Sequence, residues 1–258
     1  MRSDAVKRGN ELLGREYITN NYGKCFIIGY KNARNVLICF YEPFCIVKCY
    51  LSNLKIGNVF NPMCPSFYKK GYMGVGKYSS KDKEVFSLWY SMLDRAYSDK
   101  YHINQPTYKD VTVGEEWLNF QNFATWCESQ EFFNAKDSKG RRYEIDKDLL
   151  IKDNRIYSPK ACCFIPREVN ITLVRRLKSR GEYPIGVTYC KSRNTFVAKF
   201  GCNNSTIYLG SFDNIEEAFQ AYKVAKENHI KDLAVSLLGK IDDNVYKALI
   251  NYEVNIND

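Results

Sequence analysis

The sequence predicts an α+β protein in three parts: a small β-barrel-like module over residues 1–76, a central helical region over 77–177, and a three-stranded antiparallel sheet packed on a helix over 178–258. Three observations lead there. β-formers dominate from Glu16 to Gly76 without a helix-period stripe. Two stripes of helical period follow. From Tyr183 to Ala234, three apolar-alternating segments run across polar turns into a capped helix.

Residues 1–14 read as a short polar lead-in. Strands are expected at Lys24–Tyr30, Asn35–Tyr41, Cys45–Leu51 and Ile56–Val59, punctuated by Gly, Asn and Pro in the manner of a small barrel. Lys77–Lys83 is a polar linker. Val85, Leu88, Trp89, Met92 and Ala96 then mark one helix face, and Trp117, Phe120, Ala124 and Cys127 mark a second. Trp89 and Trp117 are assigned to core, the usual fate of such side chains.

In the last part, Phe196, Ala198 and Phe200 point to one sheet face, while Thr195, Val197 and Lys199 point to the other. Asp213 or Asn214 can cap the helix that follows, with Glu216 or Glu217 three residues on. Ile215, Ala218, Phe219, Tyr222 and Ala225 cover one side of the sheet. The other side is left bare. A further amphipathic helix is expected from Val235, Leu237, Leu238, Val245, Ala248 and Leu249, with His229 at a surface or cap position.

These residues resemble the plant ethylene-response-factor (APETALA-type) DNA-binding domain: Gly186-Val187, Phe196-Val197-Ala198, the run Tyr208-Leu209-Gly210-Ser211-Phe212-Asp213, Glu216-Glu217-Ala218 and Ala221-Tyr222. The resemblance implies that the bare face lies in the major groove of double-stranded DNA, reading base edges from strands. It assigns DNA contacts to Thr188, Lys191, Arg193, Lys199, Thr206 and Tyr208. The family's outward arginines fall here at Thr188 and Cys190, so the base sequence read would differ.

A second resemblance lies upstream. Tyr143-Glu144-Ile145-Asp146-Lys147-Asp148, polar Lys152–Arg155, and Tyr157 to Pro166 ending in Asn170 resemble the core of phage His-Asn-His homing endonucleases. There a strand, a loop and a helix hold one divalent ion. The resemblance places metal ligands at Asp146 and Asn170, implies one Mg2+ or Mn2+ ion, and puts Lys147 in the position of the general-base His. Ala161 stands where that family has a bracing Asn. A His can accept a proton near neutral pH, whereas an ordinary Lys is already protonated. Asp146 and Asp148 beside Lys147 favour its charged form. The central region then reads as a degenerate nuclease core. The segment Ile56 to Pro62, with Gly74-Val75-Gly76, resembles a small SH3-like module at the front of such endonuclease-like proteins.

Charge and composition agree with a polyanionic partner. The net charge is +9, and from Arg141 to Arg180 eleven Lys and Arg face five Asp and Glu. Arg175, Arg176, Lys178 and Arg180 crowd the junction before the sheet and are assigned to phosphate or minor-groove contact. No apolar run could cross a membrane and no signal-peptide core opens the chain, so no membrane partner is expected. Ten cysteines without CxxC pairs read as buried thiols of a reducing cytoplasm, the host cell's if the chain is phage-encoded. No zinc is expected.

Three functions remain open at this level. The first is a DNA-binding protein with an inactive nuclease core; the second is an active metal-dependent nicking or homing endonuclease. The third is an interaction module whose basic surface grips an acidic protein partner. Oligomeric state is not encoded in any of these patterns.

Overall fold

The structure, a computed structural model, describes residues 7, 9–174, 182–202 and 205–258. The chain divides into two compact units, Met1–Cys127 and Glu128–Asp258. Each mixes helix and strand.

In the first unit, strands β1 (Glu16–Ile18), β2 (Lys24–Asn32), β3 (Asn35–Phe40) and β4 (Cys45–Cys49) form an antiparallel meander in sequence order. Among the described residues no barrel closes, which corrects the barrel expected from the strand count. β1 has three residues, and β1 and β4 stay at opposite edges. The predicted strand at Ile56–Val59 is absent as well. Leu51 and Leu54, three residues apart, turn inward from a one-turn helix, α1 (Leu51–Lys55). The loop that follows is held by Asn20, whose backbone N–H donates to the Gly57 carbonyl at 2.9 Å. Cys25, Ile27, Val36, Ile38, Phe40, Leu51 and Leu54 form the core under the sheet. Residues 9–12, read as lead-in, are helical, and Leu12 joins this core.

Helices α2 (Lys83–Tyr97), α3 (Asp99–Asn104), α4 (Glu115–Leu118) and α5 (Phe120–Ser129) complete that unit. Val85, Trp89, Met92 and Ala96 are buried as the helical period requires, and Leu93 joins them. Trp89 is fully enclosed, its indole N–H donating to the Trp117 carbonyl at 2.7 Å. The rings of Phe67 and Phe120 lie 5.0 and 5.3 Å from it. Tyr78, within the segment read as a linker, is buried. The side-chain amide of Gln121 donates to the Met73 and Tyr78 carbonyls, both at 2.9 Å, and accepts from the Tyr78 N–H at 3.0 Å.

The first unit also holds the two-residue strand β5 (Thr112–Val113). In the second unit, β6 (Glu144–Asp146) pairs antiparallel with β8 (Cys163–Ile165), the two-residue strand β7 (Ile156–Tyr157) lies between them in sequence, and α6 (Arg167–Leu173) follows. Strands β9 (Val187–Cys190), β10 (Thr195–Cys202) and β11 (Ser205–Phe212) form a meander with β10 in the middle. Helix α7 (Ile215–Ser236) starts at Asn214, whose side chain accepts the Glu217 N–H at 2.8 Å. Asn214, not Asp213, is therefore the cap. Ala218, Phe219 and Tyr222 of α7 pack on Val187, Ala198 and Phe200 of the sheet.

Gly186 makes that packing possible. Its φ is +79°, and a Cβ there would stand 2.0 Å from the Tyr222 ring. Helix α8 (Asp243–Ile250) turns Val245 and Leu249 inward, whereas Val235 and Leu238, read as parts of an apolar face, are exposed. His229, expected at the surface, is half-buried with its ring 5.3 Å from Phe200.

Candidate nucleic-acid interface

The face of the β9–β10–β11 sheet turned away from α7 collects most of the residues assigned to DNA. Residues directly opposite in an antiparallel pair share a face. Thr188 and Ser211 flank Val197, Tyr208 lies opposite Lys199, and Thr206 lies opposite Gly201. Thr188, Lys199, Thr206 and Tyr208 are exposed, Tyr208 by 57%. The turn joining β9 and β10, residues 191–194, carries Lys191 and Arg193 at the end of this face. The Arg193 N–H donates to the Cys190 carbonyl at 3.2 Å, and Asn194 sits at φ +52° with its side-chain oxygen bonded by the Tyr189 hydroxyl. A hydrogen bond from the Ser192 hydroxyl lowers the Cys190 thiol below its ordinary range, with help from the Arg193 N–H.

Sequence reasoning missed one member of the face. Strict alternation puts Tyr208 and Ser211 on opposite sides of β11. The pairing shifts between Ala198 and Lys199, however, so Leu209 is an extra residue and Tyr208 and Ser211 come to the same side. The Tyr208 and Ser211 hydroxyls lie 2.8 Å apart. Gly210, at φ +147°, was the signal for this bulge. Arg175, Arg176, Lys178 and Arg180 lie outside the described residues.

The nuclease-like segment runs β6, a connection over residues 147–162 that is loop apart from the two-residue strand β7, then β8 and α6. Asn170 projects from α6 onto β6, but its amide donates to Glu144 Oε2 at 2.7 Å. Glu144 and Asp146, two residues apart on β6, share a strand face. Asp146 Oδ1 accepts the N–H groups of Asp148 and Leu149 at 3.0 and 2.7 Å, closing an Asx turn. Burial, and next the Asp148 carboxylate, raise Asp146 from 3.8 to about 6 against those two hydrogen bonds. The side chain of Lys147 is only 11% exposed, with its ammonium 3.2 Å from Asp148.

As an ion site this set is short of ligands. Asp146 and Asn170 would give a Mg2+ or Mn2+ ion two oxygens, where such ions ask for about six from protein and water together. Among the described residues, no three His, Cys, Asp or Glu side chains form a group that could hold a metal. Cysteine chemistry has little footing beside it. A cavity of about 170 Å3 is lined by Lys160, Cys162, Cys163 and Asp242, among others, and burial pushes Cys162 up to about 12 and Cys163 higher still.

No helix among the described residues is long and apolar enough to cross a membrane. Comparison with protein-family models, with curated proteins and with solved structures finds no match for this chain.

Proposed function

We propose that this chain binds double-stranded DNA through the free face of its C-terminal sheet. The observation that carries the reading is the alignment of Thr188, Lys199, Thr206 and Tyr208 on the helix-free face, with Lys191 and Arg193 at its end. Such a face offers what a duplex needs from a strand reader: hydroxyls for base edges and phosphates and cations for phosphates, set around a buried Val197. The net charge of +9 favours the encounter.

The test is a salt titration of the full chain on pooled duplex fragments. Joint replacement of Lys191, Arg193, Lys199 and Tyr208 by Ala should weaken binding at least about tenfold near 0.1 M salt. The slope of log affinity against log salt should flatten by about 0.9 for each phosphate that the variant no longer neutralises. Wild-type affinity and slope in a folded variant would sink the sheet-face reading.

On the nuclease-like segment, the same proposal holds the chemistry to be degenerate. Lys147 is paired with Asp148, and a protonated, ion-paired amine is a poor acceptor for a proton from water. The second reading, a metal-dependent endonuclease, draws support from the strand-loop-strand-helix order and from Asn170 lying against β6. Duplex nicking in Mg2+ or Mn2+ that disappears in Asp146→Ala while binding persists would establish it instead.

A further inference from the structure

The outer face of the first sheet leaves a broad apolar surface uncovered. Pairing defines its rows. Glu16, Phe26, Cys39 and Ile46 lie side by side across β1, β2, β3 and β4. Ile18 and Lys24 form the next row on one side, joined by Tyr41, whose N–H donates to the Lys24 carbonyl at 3.3 Å. Leu37 and Lys48 form the row on the other side, beside Ile28, the extra residue of a bulge between Ile27 and Gly29. Ile18, Ile28, Leu37, Tyr41 and Ile46 are exposed, Ile18 by 72%. At about 200 Å2 for a whole large side chain, their exposed parts come to roughly 500 Å2, towards the upper end for a solitary patch. The stems of Lys24 and Lys48 raise the face to roughly 700 Å2. Two such faces together would bury about 1,400 Å2, the size of a stable interface.

The charges on this face are arranged to meet a copy of it. Glu16 stands on the β1 edge and Lys48 on the β4 edge, both exposed. Three strand spacings, about 14 Å, separate those edges, too far for the two groups to pair within one chain. The Glu16 carboxylate accepts the Tyr41 hydroxyl at 2.7 Å, and among the described residues Lys48 makes no ion pair. An acid on one edge and a base on the other make a face self-complementary under one operation. That operation is a two-fold axis running along the strands, between β2 and β3.

We infer that the outer face of the β1–β4 sheet pairs two copies of this chain, sheet on sheet, about that axis. β1 of one copy lies over β4 of the other, and β2 over β3. Glu16 then comes over Ile46 of the other copy, within a lysine's reach of Lys48 one row along, and symmetry repeats the contact. Ile28 meets Leu37 across the interface, and Lys24 meets the Tyr41 ring. The inference does not rest on the DNA-binding reading.

The test is sedimentation equilibrium of the full chain, without nucleic acid, from about 1 to 100 μM near 0.1 M salt. The wild-type chain should reach twice its own mass within that range. Leu37→Glu sets a carboxylate in the apolar centre, close to its own copy, and should weaken association at least about a hundredfold. Its melting temperature should hold, because Leu37 is exposed. Glu16→Lys alone and Lys48→Glu alone each oppose like charges and should weaken association about tenfold. Combined in one chain they restore the pair in reverse, and association should return to within about threefold of wild type. That rescue has no route inside a single chain. Should Leu37→Glu lower the melting temperature, the charge reversals decide alone, since both sites are exposed sheet edges. A wild-type chain that stays monomeric throughout overturns the inference and leaves the face to a different partner. A dimer that Leu37→Glu leaves intact in a folded chain, or a charge reversal that the combined variant does not rescue, overturns it as well.

Discussion

On the side of the first sheet that faces away from its core, Leu37, Tyr41 and Ile46 stand 41%, 51% and 48% exposed, and Phe26 packs on Tyr41 at 4.9 Å. The equivalent side of the second sheet carries Thr188, Lys199, Thr206, Tyr208 and Ser211. Both sheets are antiparallel meanders with one covered face, so topology does not explain the contrast. What differs is what each bare face would give up on contact. An apolar face gains by losing water and so suits another apolar surface. A face of hydroxyls and a lysine stays hydrated and suits a polar, charged surface. Bareness alone does not identify a partner; the chemistry of the bare side chains does.

The largest expected effect breaks the second sheet and spares the first. Gly186→Ala places a methyl group against the Tyr222 ring at positive φ and should cost about 3 kcal/mol or more, read as a lower melting temperature. Gly29→Ala in the first sheet meets Leu37 at an ordinary 3.4 Å and should cost less than about 1 kcal/mol. Equal losses would mean that α7 does not clamp its sheet as described.

Next in size is a pH dependence belonging to the second unit. The resolved shifts in the first unit are upward movements of thiols and phenols, such as Cys25 through burial, which are silent below neutral pH. Asp146 is raised to about 6 from 3.8, so the folded state holds its proton more tightly than the unfolded state. Its contribution to stability therefore falls as pH rises from about 4 to about 6 and stays reduced above. Asp146→Asn keeps an oxygen for the Asx turn and removes the charge. It should stabilise the chain at pH 7.5 by up to about 3 kcal/mol, with the gain vanishing below about pH 4 in denaturant titrations. Destabilisation at pH 7.5 would show that the ionised carboxylate has a native partner.

The smallest effect sharpens the contrast by being nearly absent. Ile46→Thr, on the apolar face, should leave duplex affinity within about twofold of wild type in the same binding assay. A loss as large as that of the sheet-face variant would put DNA on the wrong sheet.

Much of the second sheet was legible because its signals are local. Alternation sets the faces of β10, Asn214 caps the helix after it, and Ala218, Phe219 and Tyr222 recur at helical spacing. The bulge was not, since one inserted residue reverses the parity of everything beyond it and Gly210 was its sole sign. In the first unit, barrel closure depends on whether distant edges meet, and composition says nothing about that. The pairing of Asn170 with Glu144 was hidden for a similar reason, because it needs both strand parity and the placement of α6. Asp146, Lys147 and Asn170 could be singled out in the sequence, with Asp148 beside Lys147; the Glu144 partner of Asn170 and the Asx turn closed by Asp146 could not.

The side-chain amide of Gln121 engages the segment from Met73 to Tyr78 through three hydrogen bonds. Because the Tyr78 N–H is one of the bonded groups, its proton can exchange with deuterium only when that clamp lets go. The Tyr78 amide is thus a built-in gauge of how often α5 releases the stretch of chain before α2. A cut after residue 76 would leave the glutamine without its Met73 acceptor, so a fragment starting at 77 should exchange that proton faster than one starting at 64.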